Sequence, residues 1–306
     1  MKKFLLLIIL FSLACTGASA QTDSLERHKV GRIISSAAGS LAINGALTEI
    51  LKDNIHKTRP DGSDRHSFPS RHSSWAFTAS TIFSNELYGY SPFFSLGGQM
   101  AATIVGMQRV VSKNHYPSDV LAGAALGVAS TELSYFICRK IFHAQNPFSG
   151  NFENDFKINV SMSTGGMFYL SNGQSCGLAA RVDAAFPTSD HFGVYAGTNW
   201  IYTPSKADGG YQVVSSNNIL AGVCTHFTLP HPSWAVEGNL KAGTIYNNSS
   251  TGIFGEGFKF QAAAEAGISY RLTAKFAWRA SVEYSYIVMR GGQSAVGAYL
   301  SSVALF

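Results

Sequence analysis

The sequence has little charge and few cysteines. Only 13% of its 306 residues are charged, whereas 46% are hydrophobic. This balance is too apolar for a disordered chain and low in charge for a purely soluble enzyme. Beyond an apolar N-terminal leader three cysteines remain, Cys138, Cys176 and Cys224. Because that number is odd, a disulfide framework is disfavoured and buried, unpaired cysteines are expected.

The first 20 residues have the pattern of a secretory signal peptide. Lys2 and Lys3 precede the apolar run Phe4–Leu13, and the small residues Ala18–Ala20 form a cleavage site. Removing this peptide also removes its two lysines, so the formal charge of +5 falls by two. The charge that remains is too small to predict nucleic acid as a partner. The exported chain is expected to comprise a helical domain at 21–148 and a β-barrel at 149–306.

Residues 30–142 lack a long apolar run free of polar interruption. Helical spacing predicts helices over Val30–Asn54, Ser73–Leu87, Phe93–Val110 and Ser118–Phe142. A membrane-spanning helix needs about 20 predominantly apolar residues. The candidates are interrupted by Glu49, Lys52, Glu86, Gln108, Arg109 and Glu132. We therefore expect a compact helical bundle; the alternative is a bundle partly sunk into a membrane face, for which Phe93–Val111 is the best evidence.

From Asn151 onward the hydrophobic period changes from helical to two. In Phe258–Arg271 apolar residues alternate with polar ones such as Lys259 and Glu265, and two further segments repeat the alternation. Strands are predicted over Trp234–Tyr246, Phe258–Arg271, Phe276–Val288 and Ala295–Phe306, and others begin near Phe156, Cys176, His191 and Val213. About eight strands of this kind, with aromatic residues at their ends, are typical of a small antiparallel transmembrane barrel.

The predicted turns alternate in length. Phe186–Asp190, Leu229–Ser233 and Thr273–Lys275 are short, whereas Tyr202–Tyr211 and Asn247–Gly257 are longer. In outer-membrane barrels the short turns face the periplasm, and an even strand count puts both chain ends there. We therefore expect a barrel surrounded by outer-membrane lipids, with the helical domain in the periplasm.

A soluble sandwich or lipocalin-like barrel is the alternative, since its apolar residues would face inward. Repeated charges opposite large aromatic residues disfavour it. An eight-stranded barrel also leaves an interior filled by side chains, so conduction of solute is not expected.

The first of three polar phrases holds Lys52 and Arg59, which are seven residues apart. Seven residues are two helical turns, so both cations can point the same way. Pro60 biases Arg59 out of the helix and ends it, which places the guanidinium at a rim. Such a pair alone is usually solvated surface, so its importance depends on the other two phrases.

The second phrase, Pro69-Ser70-Arg71-His72, has the residues of a helix start. Free backbone N–H groups and the helix dipole favour an anion there. Ser70 can donate to a phosphate oxygen, and His72 stands where a proton donor would. The alternative is that Ser70 is only an N-cap.

The third phrase contains Arg109, His115 and Asp119. Pro117 favours a helix start, so the Asp119 carboxylate can reach back to the imidazole of His115. A carboxylate bound to one ring nitrogen leaves the other nitrogen nucleophilic. A metal half-site is the alternative, but no third ligand follows at a metal-binding spacing. We therefore expect neither a metal nor another cofactor.

Together the phrases resemble the type 2 phosphatidic acid phosphatase superfamily, which includes bacterial acid phosphatases and vanadium haloperoxidases. That family carries Lys-x6-Arg-Pro, Pro-Ser-Gly-His and Ser-Arg-x5-His-x3-Asp, in this order. The resemblance covers roughly residues 30–142 and matches Lys52, Arg59, Pro60, Pro69, Ser70, His72, Arg109, His115 and Asp119. Two positions depart, since Arg71 replaces the glycine and Gln108 replaces the serine. Both departures bear on substrate fit more than on catalysis.

The resemblance implies a mechanism. His115 would attack phosphorus to form a phosphohistidine, Asp119 would orient it, and His72 would protonate the leaving alkoxide and then help to activate water. The phosphate oxygens would be bound by Lys52, Arg59, Ser70, the backbone N–H of Arg71, and Arg109. Fixed cations would thus neutralise the charge that dominates phosphoryl transfer.

The expected function is a metal-independent phosphatase that acts on a phosphomonoester or pyrophosphate. Attachment to a membrane barrel favours a lipid phosphate, because a tethered site meets membrane head groups often. Two alternatives stay open: a non-enzymatic outer-membrane protein whose helical domain binds phosphate, and a vanadate-dependent haloperoxidase. The sequence predicts no oligomeric state.

Overall fold

The computed structural model describes residues 24–88, 90–142, 155–170, 175–207, 210–231, 233–248, 255–289 and 292–306. The predicted signal peptide lies outside them. The helices are α1 (Ser24–Asn54), α2 (Arg71–Leu87), α3 (Pro92–Val111) and α4 (Pro117–Ile141). Their ends follow local signals: Ser91 caps α3 through its side chain, and Pro117 is the first residue of α4.

Eight antiparallel strands close into a barrel, each strand pairing with its neighbour in the chain and the last with the first. They are β1 (Asn159–Tyr169), β2 (Cys176–Pro187), β3 (Phe192–Ala207), β4 (Gly210–Thr228), β5 (Trp234–Asn247), β6 (Gly257–Thr273), β7 (Phe276–Val288) and β8 (Gln293–Leu305). The predicted fold class, a helical domain followed by a small antiparallel barrel, is confirmed. The predicted loop Tyr202–Tyr211 is wrong, because Thr203 pairs with Val214 and Lys206 with Tyr211, which extends β3 and β4.

The barrel is apolar outside and polar inside. Ile219 and Phe258 point outward and are 69% and 73% exposed. Inward-facing charged residues are ion-paired, and all but the half-buried Glu237 are buried: Arg181, Asp183, Glu237, Lys241, Glu265, Arg279 and Glu283. This distribution is the reverse of a soluble barrel and is the one that a lipid environment requires. The lipocalin-like alternative is therefore wrong, and the described interior is filled by side chains.

The helical domain lies beside the barrel, against the outside of its wall. Helix α3 contacts β8 and β1, and α4 contacts β1 and β2. On the outward face of β1, Thr164 accepts a hydrogen bond from Gln99 at 3.2 Å and bonds Thr103 at 2.5 Å. Outward-facing Leu178 of β2 is buried together with Val110 and Val120. This lateral packing places the helical domain alongside the barrel wall; its predicted periplasmic location stays a prediction.

The helices run alongside the wall from one end of the barrel to the other. Tyr88, after α2, stacks on Phe276 beside the short β6–β7 turn. Tyr116, before α4, packs edge-on against Tyr211 at the opposite end. The end of α3 and the starts of α2 and α4 therefore lie at the barrel end remote from its chain termini.

The outer surface of the helical domain is apolar along its length. Large hydrophobic side chains are exposed on all four helices, among them Ile34, Leu41, Phe83, Ile104 and Phe136. Val30–Asn54 and Pro117–Ile141 are each long and apolar enough to cross a membrane by length and composition. The alternative of a bundle partly sunk into a membrane therefore fits this surface better than a fully solvated domain does.

Candidate active site

The eight predicted site residues gather at one end of the helical domain. They are Lys52 in the last turn of α1, Arg59 in the segment that follows, Ser70, Arg71 and His72 at the start of α2, Arg109 in the last turn of α3, and His115 and Asp119 at the start of α4. Successive helices run antiparallel, so the end of one lies beside the start of the next. This topology brings three distant phrases together.

His115 is held with one ring nitrogen protonated and the other free. Its Nδ1 lies 2.7 Å from the backbone oxygen of Ser67. Because a carbonyl oxygen only accepts, Nδ1 carries the proton and Nε2 carries the lone pair. The Arg59 Nη1 lies 3.4 Å from Nε2 and also donates to the oxygen of Asn114 at 3.2 Å. The lone pair of Nε2 therefore faces a guanidinium that can hold an anion beside it.

The pKa of His115 falls from 6.5 to about 4, chiefly because the ring is buried. The nearby cations Arg59 and Lys52 lower this pKa further, while the Ser67 carbonyl and Asp119 oppose the shift. At neutral pH the imidazole is therefore neutral, as an attacking nitrogen must be.

Asp119 does not bond His115 directly, contrary to our prediction. Its buried carboxylate accepts hydrogen bonds from Lys57 Nζ at 2.6 Å, from the Ser67 hydroxyl at 2.5 Å and from the Tyr116 backbone at 3.0 Å. Ser67 thus links the two groups, since its hydroxyl binds Asp119 and its carbonyl binds His115. Asp119 is placed to position the imidazole through Ser67.

His72 lies among the cations of the cluster. Partial burial lowers its pKa from 6.5, and the charges of Arg109, Arg59, Arg71 and Lys52 lower it further. The positive charge around this imidazole therefore disfavours its protonated form. A dianion bound there would oppose the repulsion and favour protonated His72, the form that can donate a proton.

Two cations of the site, Lys52 and Arg109, have no carboxylate partner among the ion pairs of the described residues. Lys52 is buried and its Nζ donates to the backbone oxygen of His66 at 2.7 Å. The Nε of Arg109 is buried and has no hydrogen-bond partner among the residues described. Buried donors without a partner are costly, so a ligand that accepts from them is favoured.

Ser70 and Arg71 depart from the expected picture. Ser70 is fully buried, and its hydroxyl accepts from the Ser73 amide at 3.4 Å, so the N-cap alternative describes it. The Arg71 guanidinium turns to the exposed Glu49, 2.7 Å away, and leaves only its backbone N–H for an anion. The phosphate contacts of both residues stay predictions.

Lys57 and Ser67 were missed by the sequence reasoning. Both lie in the segment between α1 and α2, which has no hydrophobic period; Lys57 occupies an unspecified position of the first phrase, and Ser67 lies outside all three. Their roles arise only when that segment folds back on the start of α4. No group of three or more His, Cys, Asp or Glu residues suited to a metal ion occurs in the part of the chain that the structure describes.

Comparison with known proteins identifies the helical domain. The model of the PAP2 superfamily matches residues 34–142. Residues 34–142 form a PAP2 superfamily domain. The match spans the four helices from within α1 to the residue after α4, and it contains every site residue discussed above.

A relative of this PAP2 domain is the lipid A 1-phosphatase of Porphyromonas gingivalis. The two chains are 34% identical over 145 residues, which are 45% of this chain and 32% of the relative. The chain thus spans about a third of that protein's length.

The barrel is similar to solved outer-membrane proteins. The neisserial surface protein NspA is 14% identical, covers 49% of this chain and 97% of its own, and has a TM-score of 0.40. Ail of Yersinia pestis is 15% identical over 49% of this chain and 99% of its own, with a TM-score of 0.31. The outer-membrane enzyme PagL is 11% identical, and the match covers 47% of this chain and 97% of PagL, with a TM-score of 0.30.

Proposed function

We propose that this protein is a metal-independent phosphatase of a lipid phosphomonoester or pyrophosphate that works through a phosphohistidine. The observation that carries the proposal is the neutral Nε2 of His115, 3.4 Å from the Arg59 guanidinium in a cluster with surplus positive charge. The membership of residues 34–142 in the PAP2 superfamily supports the reaction class. The activity named for the P. gingivalis relative supports a lipid phosphate as substrate.

The first step forms a bond between Nε2 of His115 and phosphorus and breaks the bond from phosphorus to the leaving oxygen. Protonated His72 gives its proton to that alkoxide, which leaves as an alcohol. The Nδ1–H of His115 keeps its bond to Ser67 and so stabilises the charge that develops on the ring. Lys52, Arg59 and Arg109 neutralise the equatorial phosphate oxygens.

The second step reverses these roles. Water loses a proton to neutral His72 and attacks phosphorus, the bond from phosphorus to Nε2 breaks, and inorganic phosphate leaves. Both histidines then return to their starting states. No step requires a group that the chain lacks.

The proposed location is the outer membrane, and the apolar outer face of the closed barrel supports it. In such barrels the chain termini and short turns face the periplasm. The cluster around His115 lies at the opposite end, near Tyr211. We therefore favour a site at the outer surface of the membrane, in place of the periplasmic site expected from the sequence.

The activity is tested with purified protein in detergent, offered phosphatidic acid, phosphatidylglycerophosphate, polyprenyl pyrophosphate, lipid A and a soluble aryl phosphate. We expect phosphate release from at least one lipid, insensitivity to chelators, inhibition by vanadate, and no release by a folded His115→Asn variant. Release that survives in this variant would refute the assigned nucleophile. Phosphate binding without release would favour the non-enzymatic alternative, and bromide oxidation after vanadate loading would favour the haloperoxidase.

The orientation is tested with two single-cysteine additions. Asp61 is exposed in the segment near the site, and Ser189 is exposed in a short turn at the opposite end of the barrel. A bulky impermeant maleimide should label Asp61→Cys on intact cells and should label Ser189→Cys only after the outer membrane is disrupted. The reverse pattern would restore the periplasmic orientation, whatever the activity assay shows.

A further inference from the structure

An apolar cavity of about 740 Å³ lies between the helical domain and the barrel wall. The helices contribute Phe77, Leu121 and Val128 to it, and the wall contributes Ile268, Val282 and Leu300. Ile268 and Val282 alternate along their strands with buried inward-facing residues, so the cavity lies outside the barrel. It therefore occupies the zone where the hydrocarbon of a membrane would surround the barrel.

The cavity lies further along the two helices whose starts carry the phosphate site, and none of the eight site residues is among the described residues that line it. Leu121 and Val128 follow Asp119 by two and nine residues on α4, which places them about 3 Å and 14 Å further along the axis. Phe77 follows His72 by five residues on α2, or about 8 Å. The apolar lining thus begins within one helical turn of Asp119 on α4 and about 8 Å from His72 on α2, and it leads away from the helix starts that carry the cations.

This juxtaposition has the polarity of an amphiphile. One end offers Lys52, Arg59 and Arg109 to an anion, and the other offers aliphatic and aromatic side chains to hydrocarbon. The volume falls within the range of about 300–1,000 Å³ that is usual for small-molecule sites. An ordinary soluble phosphomonoester would fill the first part and leave the second part unused.

We propose that the crevice between the PAP2 domain and the outer wall of the barrel binds an acyl chain of the lipid whose phosphate enters the His115 site. The barrel is then part of the substrate-binding surface as well as an anchor. This inference rests on the proposed function, since it takes the reacting phosphate to be at His115.

Monoalkyl phosphates with four to eight carbons, used below their micellar concentrations, distinguish the proposed phosphatase activity from the proposed binding of an acyl chain. Burying one methylene group contributes about 0.8 kcal/mol, which corresponds to an upper bound of about fourfold in kcat/KM for each added carbon. For the wild-type protein we expect kcat/KM to rise with chain length. Absence of hydrolysis at every length would refute the proposed function, whereas equal hydrolysis at every length would refute only the acyl crevice.

A matched pair of substitutions on β6 tests whether the rise of kcat/KM with chain length arises from this cavity. Ala266 lines the cavity, whereas Ala262 is exposed on the same outward face and does not line it. Ala266→Phe should flatten the rise with chain length and leave butyl phosphate hydrolysis unchanged, whereas Ala262→Phe should behave as wild type. If both variants keep the wild-type slope, or if both lose it equally, the proposed crevice is wrong.

Discussion

The protein contains two clusters of buried charge that differ in their balance. In the barrel interior three buried cations are paired with carboxylates: Arg181 with Asp183, Glu265 and Glu283, Lys241 with Glu265 and Glu283, and Arg279 with Asp183 and Glu237. In the helical site Lys57, Arg59 and Arg71 have carboxylate partners, whereas Lys52 and Arg109 have none among the described ion pairs. These barrel residues balance their charges, whereas the helical cluster keeps a surplus of positive charge that an anion can offset.

The difference follows from what each cluster must do. Buried ion pairs that are complete fill the barrel interior without needing a ligand, but losing one partner leaves an uncompensated charge that is costly. A cluster with surplus positive charge is less stable when empty, and binding of a phosphate dianion offsets its internal repulsion. The same substitution, arginine to methionine, should therefore have opposite consequences in the two places.

The largest effect is expected for Arg181→Met in the barrel. Arg181 is almost fully buried and pairs with three carboxylates, so its loss leaves their charges partly uncompensated. We expect the free energy of unfolding to fall by about 3–5 kcal/mol, measured by tryptophan fluorescence in urea. Activity for each folded molecule should stay at the wild-type level. An unchanged urea midpoint would show that the interior network is not structural.

Arg109→Met should give the opposite signature in the helical site. Removing a donor that stabilises transition-state charge typically lowers the rate by about 10²–10³-fold, and we expect a loss of this size in kcat/KM. The urea midpoint should stay the same or rise, because one member of a repelling cluster is gone. A loss of stability like that of Arg181→Met would mean that both clusters serve the fold.

The pH dependence of kcat/KM should reflect the surplus positive charge and the burial that distinguish the helical site. Protonation of Nε2 blocks attack, so kcat/KM should fall as the pH drops through about 4, well below the ordinary 6.5 of histidine. Because the pKa of His72 is also lowered, the alkaline limb should begin below 6.5 and give an acidic optimum. His72→Asn should remove the alkaline limb. An optimum above pH 7 would contradict the lowered pKa of His72, and an acid limb near 6.5 would contradict that of His115.

Folding stability should depend on the same proton. The His115 imidazole binds a proton more readily in the unfolded chain, with a pKa near 6.5, than in the fold, with a pKa of about 4. The contribution of neutral His115 to the free energy of unfolding is therefore present above pH 6.5 and is lost as the pH falls through about 4. His115→Asn should flatten this part of the stability curve.

The sequence predicted those features that local signals determine. Ser70 and Pro117 mark helix starts, so the second and third phrases could be placed at the beginnings of two helices. Pro60 was expected to end α1, but that helix already ends at Asn54, so the predicted two-turn spacing of Lys52 and Arg59 along one helix is wrong. The period of two likewise revealed the strands and the two faces of the barrel. Both signals are read directly from neighbouring residues.

Local signals could not predict that the helices pack against the side of the barrel, or that Asp119 binds Ser67. The docking of the helices depends on small or polar outward residues such as Thr164 and Gly166, whose meaning appears only when strand register is known. The bond from Ser67 to Asp119 joins residues 52 apart through a segment without any period. Long-range contacts of this kind leave no pattern in one sequence.

The smallest expected effect concerns that bond. Ser67→Ala removes the hydroxyl that donates to the Asp119 carboxylate, but it keeps the backbone carbonyl that accepts from Nδ1 of His115. We expect kcat to fall about tenfold, the size of a lost hydrogen bond of about 1.4 kcal/mol, with KM unchanged and the acid limb of the pH profile displaced. Ser63→Ala, in the same segment but bonded to the exposed Asp61, is the matched control and should leave all three readouts unchanged. A wild-type kcat and pH profile for Ser67→Ala would mean that Asp119 only completes the start of α4, and that the Ser67 carbonyl alone orients the nucleophile.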